Sequence, residues 1–211
     1  MNDDSKFNFI IKILIVGDSN VGKTNLINRY IDNTFNENIV NSIDFDIKTK
    51  IVKIFNKKIL IKFFDTAGQE KFRSITKSLF QQVQGIILIY DITNEESFKN
   101  IEYWLSLIKE NNLNFECILI GNKCDLENER KISKKDGLNF AKKNNIEFFE
   151  TSCKTGININ ESILSINSQI YKNFTNYNMK KSIELKSDFD DDDDYYDKDN
   201  NYSHSNSCKK G

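Results

Sequence analysis

The chain has 211 residues, with 30 Lys and Arg against 31 Asp and Glu and a formal net charge of −1. That length holds one ordinary α/β domain plus a tail, and the balanced charge lacks the basic excess usual in a nucleic-acid binder, so no nucleic-acid partner is expected. No apolar run approaches the ~20 residues needed to cross a bilayer, and Met1-Asn2-Asp3-Asp4-Ser5-Lys6 is short and polar, unlike a signal peptide.

In chain order, Phe9 to Val16 is an Ile-rich apolar run that predicts a buried parallel strand. Gly17-Asp18-Ser19-Asn20-Val21-Gly22-Lys23-Thr24 follows and fits G-x-x-x-x-G-K-[ST]. Leu26, Ile27, Tyr30 and Ile31 then recur at helical spacing. Strand, glycine loop and helix in that order turn backbone N–H groups toward phosphate oxygens at a helix N-terminus. Lys23 would add a point charge on the terminal phosphates and Thr24 a hydroxyl for Mg²⁺; Asn25 completes the expected binding set.

Asp32 to Asp44 is polar and aperiodic, a loop. Phe45 to Phe55 alternates apolar and polar side chains, predicting a strand exposed on one face. Asn56-Lys57-Lys58 is a turn, and Ile59 to Phe64 the returning strand of a hairpin. Ile86 to Tyr90 is a buried strand. Thr93 or Asn94 caps a helix through Ile101, Trp104, Leu105 and Ile108. Cys117 to Ile120 is a further buried strand, and Ser133 opens a helix with Leu138, Phe140 and Ala141 on or near its apolar face. Ile146 to Phe149 makes a last short strand and Ile159 to Phe174 a last helix. Trp104 and Phe140 are assigned to the core. Strands alternating with helices predict a mostly parallel sheet with helices on both faces, whose ligand lies beyond the carboxyl ends of the strands.

Three more loops follow strands. In Asp65-Thr66-Ala67-Gly68-Gln69-Glu70, Asp65 can hold a metal-bound water opposite Thr24, the Gly68 N–H can reach a γ-phosphate, and the Gln69 amide can orient an attacking water. In Asn122-Lys123-Cys124-Asp125, the carboxylate can accept from the N1–H and 2-amino group of guanine, a donor pair adenine lacks. Taken alone, Asp125 also suits a turn. In Thr151-Ser152-Cys153-Lys154, Ser152 and Cys153 can offer backbone N–H to the guanine O6 and Lys154 can cover the ring.

These four motifs resemble those of the Ras superfamily of small GTPases. The stretches Asp65 to Arg73 and Tyr90 to Phe98 are most similar to its Rab branch. The resemblance runs from about Lys12 to Phe174. It implies a three-layer P-loop NTPase fold with a six-stranded, mostly parallel sheet, one antiparallel edge strand, and helices on both faces. It also implies GTP and GDP as ligands with Mg²⁺, and Gln69 as the catalytic residue. The family's switch threonine falls at Ser42, nineteen residues after Lys23; its hydroxyl is expected on Mg²⁺, with a looser GTP-bound switch because the methyl is missing. The implied partners of a monomeric switch are an exchange factor, a GTPase-activating protein and effectors at both switch loops. Other departures are Ile43-Asp44-Phe45-Asp46-Ile47 after the switch, Phe64 for a tryptophan, Leu79-Phe80-Gln81 for a Tyr-Tyr-Arg run, Asn20 for a loop glycine and Cys153 for an alanine. The effector-facing positions among them are expected on the surface. Two alternatives stay open: a weakly cycling GTP-binding adaptor, suggested by Ser42, and a P-loop ATPase, which Asn122 to Asp125 argue against.

The expected organisation is a short extension over 1–8, a GTPase domain over 9–174 and a tail over 175–211. In the tail, six lysines face nine acidic residues, a net charge of about −3, so disorder is expected there. Cys117, Cys124, Cys153 and Cys208 lack C-x-x-C or disulfide-framework spacing, which points to free thiols in a reducing cytosol. Cys208 is four from the end, as in C-a-a-X, but Lys209 and Lys210 stand where aliphatic residues are usual. Prenylation by an escort-assisted machinery and an unmodified thiol both remain open. Prenylation would place a cytoplasmic protein peripherally on the cytosolic face of an intracellular or plasma membrane.

Overall fold

A computed structural model of the chain describes residues 7–37, 46–54, 56–65, 79–111 and 114–190, with only the backbone over 177–190. Six strands form one sheet in the order β2-β3-β1-β4-β5-β6. They are β1 (Phe9–Val16), β2 (Asp46–Ile54), β3 (Lys57–Asp65), β4 (Gly85–Asp91), β5 (Glu116–Asn122) and β6 (Glu147–Thr151). Only β2, at one edge, runs antiparallel to its neighbour; the other pairs are parallel. The expected architecture is therefore the observed one.

Alternate residues of the central strands supply two cores. Ile11, Ile13 and Ile15 pack with Leu26 and Ile27 of α1 (Lys23–Asp32) and with Ile159, Ile163, Ile166 and Ile170 of α4 (Ile159–Asp190). Leu14 and Val16, on the opposite face, pack with Ile101, Leu105 and Ile108 of α2 (Glu95–Asn111) and Ala141 of α3 (Lys134–Asn144). The period-2 alternation of a strand thus dictates which helix each residue meets. Both expected helix starts find caps. Asn94 Oδ1, rather than Thr93, accepts the Glu96 N–H at 3.0 Å, while Ser133 Oγ accepts the Asp136 N–H at 3.1 Å.

Several local expectations need correction. On β2 the residues that face solvent are Ile47 (48% exposed), Thr49 and Ile51 (52%). The opposite face bears Lys48 and Lys50, which reach α1: Lys48 Nζ donates to Asn28 Oδ1 and Lys50 Nζ to the Tyr30 carbonyl. Long lysine stems shield the sheet while their heads find oxygens, so polarity and exposure are inverted here. Leu138 of α3 is exposed because Gly137 and Ala141, one turn apart, take the inward face. Phe64 and Phe80, expected on an effector-facing surface, are buried in the second core.

Two compact units divide the chain, Met1–Tyr171 and Lys172–Gly211. The helix expected to end at Phe174 continues to Asp190, so 175–190 is helical where disorder was expected. Met179, Lys180, Lys181, Glu184, Leu185 and Lys186 are all good helix formers. Ser42, Gly68, Gln69 and Cys208 lie outside the described residues.

Candidate functional site

Parallel register brings the loop-bearing strand ends side by side. Ile15 pairs with Asp65, Asp91 with Asn122, and Asn122 with Thr151, so β1, β3, β4, β5 and β6 all finish at one sheet edge. The Gly17 loop leaves β1 between β3 and β4, where the strand order reverses.

The loop's backbone dictates its residues. A Cβ at Gly17 would lie 2.1 Å from the Ile89 carbonyl oxygen, so only glycine permits that approach to β4. Gly22, at φ 103°, caps α1 in the left-handed region, and Asn20 adopts φ 64°. Asparagine tolerates that conformation better than most residues, which explains how it replaces the family's glycine. Lys23 is almost wholly buried, and its Nζ donates to the carbonyls of Gly17 at 2.9 Å and Asp18 at 2.5 Å. Burial pushes its ammonium down to about 8, against the raising influence of Asp65 and Asp18. A desolvated cation at a helix N-terminus is well placed to meet an anion.

The fit of a divalent cation can be judged at Asp65. Its carboxylate is buried; Oδ2 accepts the Thr24 hydroxyl at 2.6 Å, and Oδ1 has no hydrogen-bond partner among the described residues. Burial raises the Asp65 carboxyl, while the Thr24 hydrogen bond and Lys23 act in the opposite direction. A buried carboxylate oxygen lacking a partner beside a threonine hydroxyl suits Mg²⁺. That ion takes few protein oxygens and completes its octahedron with water and phosphate.

At the base end, Asn122 works as a clasp. Its Nδ2 donates to the Val21 carbonyl at 2.8 Å, and its Oδ1 accepts from Thr151 Oγ1 at 3.1 Å and lies 3.3 Å from Cys153 Sγ. One buried side chain thereby ties the phosphate loop to β6 and the loop after it. Ser152 Oγ donates to Asp125 Oδ1 at 2.5 Å, which orients the carboxylate. Lys123, at φ 67°, places Nζ 2.6 Å from Asp91 Oδ2. Cys153 is buried beside Gly22, and burial pushes its thiol up to about 12. Lys154 pairs with Glu37 across 2.8 Å, and Asn25 exchanges hydrogen bonds with the main chain of Asn36. Both contacts are made by Asn36 and Glu37, which precede Ser42 in the sequence.

A family model described as Ras family matches residues 12–172. The chain belongs to the Ras family. Its relatives there are Rab proteins. It is 44% identical over 161 residues to Ras-related protein Rab-13 of Canis lupus familiaris, covering 76% of this chain and 79% of that protein. It is 44% identical over 165 residues to Ras-related protein Rab-10 of Diplobatis ommata (78% and 82%) and 43% identical over 162 residues to Ras-related protein Rab-3C of Bos taurus (76% and 71%). The chain is a Rab-like GTP-binding switch of vesicle traffic that hydrolyses GTP. Neither the ATPase nor the adaptor alternative is favoured. Members of this family bind GTP and GDP, typically with Mg²⁺, and work with exchange factors, activating proteins and effectors. No helix among the described residues is long and apolar enough to cross a membrane.

The Rab-like site also contains residues that sequence reasoning passed over. Asp91 anchors Lys123 and accepts the Thr93 N–H and hydroxyl, each at 2.8 Å. Arg29, on α1, donates to the carbonyls of Cys153 at 2.6 Å and Lys154 at 2.7 Å. Trp104, assigned to the core, is only half-buried and donates to Asp18 at 3.0 Å. Apart from Asp91 with Thr93, two residues on, these pairs are not signalled by spacing, because their members are far apart in sequence. Asp91, at the end of a buried strand, carried the only available signal.

Proposed function

We propose that Gly17 to Asn25, Asp65, Gly68, Asn122, Lys123, Asp125, Ser152, Cys153 and Lys154 form a single guanosine-nucleotide site within a GTPase domain over 9–174, with Mg²⁺ held by Thr24, Ser42 and, through water, Asp65. The observation that carries this reading is the Asn122 clasp, which joins the phosphate loop to both base-facing loops. Backbone N–H groups of the loop and the Lys23 ammonium bind the phosphates. Asp125, oriented by Ser152, accepts from the guanine edge, and the stem of Lys123, drawn toward Asp91, lies along the base. Thr24, Ser42 and, through water, Asp65 would hold Mg²⁺, which would supply positive charge to offset that developing on the phosphates during transfer.

Gln69 orients the attacking water, and an activating protein raises the slow intrinsic rate by up to ~10⁵. Ser42 and the Gly68 N–H meet the γ-phosphate only in the GTP state, so their loops report nucleotide identity to effectors. The exposed isoleucines of β2, beside the first of those loops, extend that partner surface. The monomeric protein resides in the cytoplasm. Lipidation of Cys208, after delivery by escort machinery, places it on the cytosolic face of an intracellular or plasma membrane.

The test is to extract nucleotide from the purified chain and compete bound GDP with GTP and ATP. A guanosine species displaced by GTP and not by ATP is expected, and adenosine binding would overturn the reading. Gln69→Leu should remain GTP-loaded with an activating protein present; stimulated hydrolysis equal to wild type would remove Gln69 from its role. Mass spectrometry of the native C-terminus decides whether Cys208 is lipidated.

A further inference from the structure

Asp18 is an acidic side chain inside a loop built to hold phosphate. Both of its carboxylate oxygens are engaged from one face of α2. Asn100 Nδ2 donates to Oδ2 at 2.7 Å, and Trp104 Nε1 donates to Oδ1 at 3.0 Å. Positions 100 and 104 lie one helical turn apart, so the two donors stack on the same side of the helix. The Asp18 carbonyl meanwhile accepts from Lys23 Nζ at 2.5 Å. The residue is therefore held twice, by its side chain to α2 and by its main chain to the phosphate-binding lysine.

Aspartate side chains readily accept hydrogen bonds from neighbouring backbone N–H groups. In this loop those N–H groups are the ones a phosphate needs. A carboxylate released from α2 becomes an internal competitor for the cradle, adding a like charge beside the bound anion. Engaged by two neutral donors, the same carboxylate is satisfied outside the cradle and pins the loop.

We propose that Asn100 and Trp104 are positioning residues for nucleotide binding. They hold the Asp18 carboxylate away from the phosphate cradle, so that α2 sets the rate at which nucleotide leaves. This rests on the proposed guanosine site and adds two residues to it that contact no ligand. Their partner chemistry is the carboxylate itself, so the effect of losing them must depend on Asp18.

The test measures release of a fluorescent GDP from the full chain in Mg²⁺. Asn100→Ala combined with Trp104→Phe should release it at least about fivefold faster, because two hydrogen bonds to a charged acceptor are lost. Adding Asp18→Ala should return the rate to within about twofold of the Asp18→Ala single variant, since the competitor is gone. An unchanged rate overturns the proposal, and so does a faster rate that Asp18→Ala leaves in place, which would mark a merely structural loss. Should the Trp104 variant fold poorly, Asn100→Ala alone carries the same pair of outcomes with a smaller rise. Trp104 is the only tryptophan in the chain. Asp18→Ala should therefore shift its emission; identical emission overturns the contact. A wild-type chain that retains no guanosine nucleotide fails the site reading itself, and this proposal with it.

Discussion

The Thr24 hydroxyl donates to Asp65 Oδ2 across 2.6 Å, closing the gap between the first turn of α1 and the carboxyl end of β3. Neither residue is near the other in sequence, and the contact exists because β1 and β3 run parallel in register. Asp65→Asn keeps the shape and removes the charge that a divalent cation needs. GDP should then leave at least about tenfold faster in Mg²⁺, and chelation with EDTA should accelerate release far less than in wild type. Equal sensitivity to EDTA in the two proteins would take Asp65 out of the metal site.

The 2.5 Å hydrogen bond from Ser152 to Asp125 fixes one carboxylate oxygen. Ser152→Ala should weaken GDP binding by roughly threefold or more, because the carboxylate must then be ordered when the base binds. Inosine lacks the 2-amino donor proposed to pair with the same carboxylate. Its diphosphate should lose less, so the preference for GDP over IDP narrows. A preference unchanged in competition binding would show that the serine does not aim Asp125.

Cys117 and Cys153 are buried, and burial pushes both thiols from an ordinary 9.0 up to about 12. A raised thiol contributes stability that is complete below pH 9.0 and is lost as pH climbs toward 12. Urea midpoints of wild type should therefore fall relative to those of Cys153→Ala as pH rises from 8 to 10. At pH 8 neither thiol should react with iodoacetamide while the protein is folded. Rapid labelling of either one, read by peptide mass spectrometry, contradicts the burial.

Ile47 and Ile51 point to solvent from the edge strand β2 and belong to no core cluster. Replacing either with Asp should abolish capture of partners that prefer the GTP-analogue form. Nucleotide release should stay within about twofold, as expected of a surface change away from the pocket. Undiminished capture would move the partner surface elsewhere.

Much of the fold was legible because its signals are local. The Ile-rich run ending at Val16, the glycine loop and the helical recurrence after Lys23 each follow from short-range periodicity, and together they specify strand, phosphate cradle and helix. Asn94 and Ser133 announce helix starts through their own hydrogen-bonding capacity. Leu138 was misplaced, and which face of β2 is exposed was left unassigned, because hydrophobicity alone does not say which face a neighbour covers. On β2 the α1 helix covers the lysine face, through Asn28 and the Tyr30 carbonyl.

The amino-acid sequence by itself marked the loops proposed to bind a guanosine phosphate, since each motif is contiguous, from Gly17 to Thr24 and from Asn122 to Asp125. Only the tertiary structure decided how those loops are held. Asn122 on Val21, Arg29 on Cys153, Lys123 on Asp91, and Trp104 and Asn100 on Asp18 are side chains meeting across strands and helices. Some of these partners stand more than a hundred positions apart, and their pairing follows from sheet order and register, which no local pattern encodes.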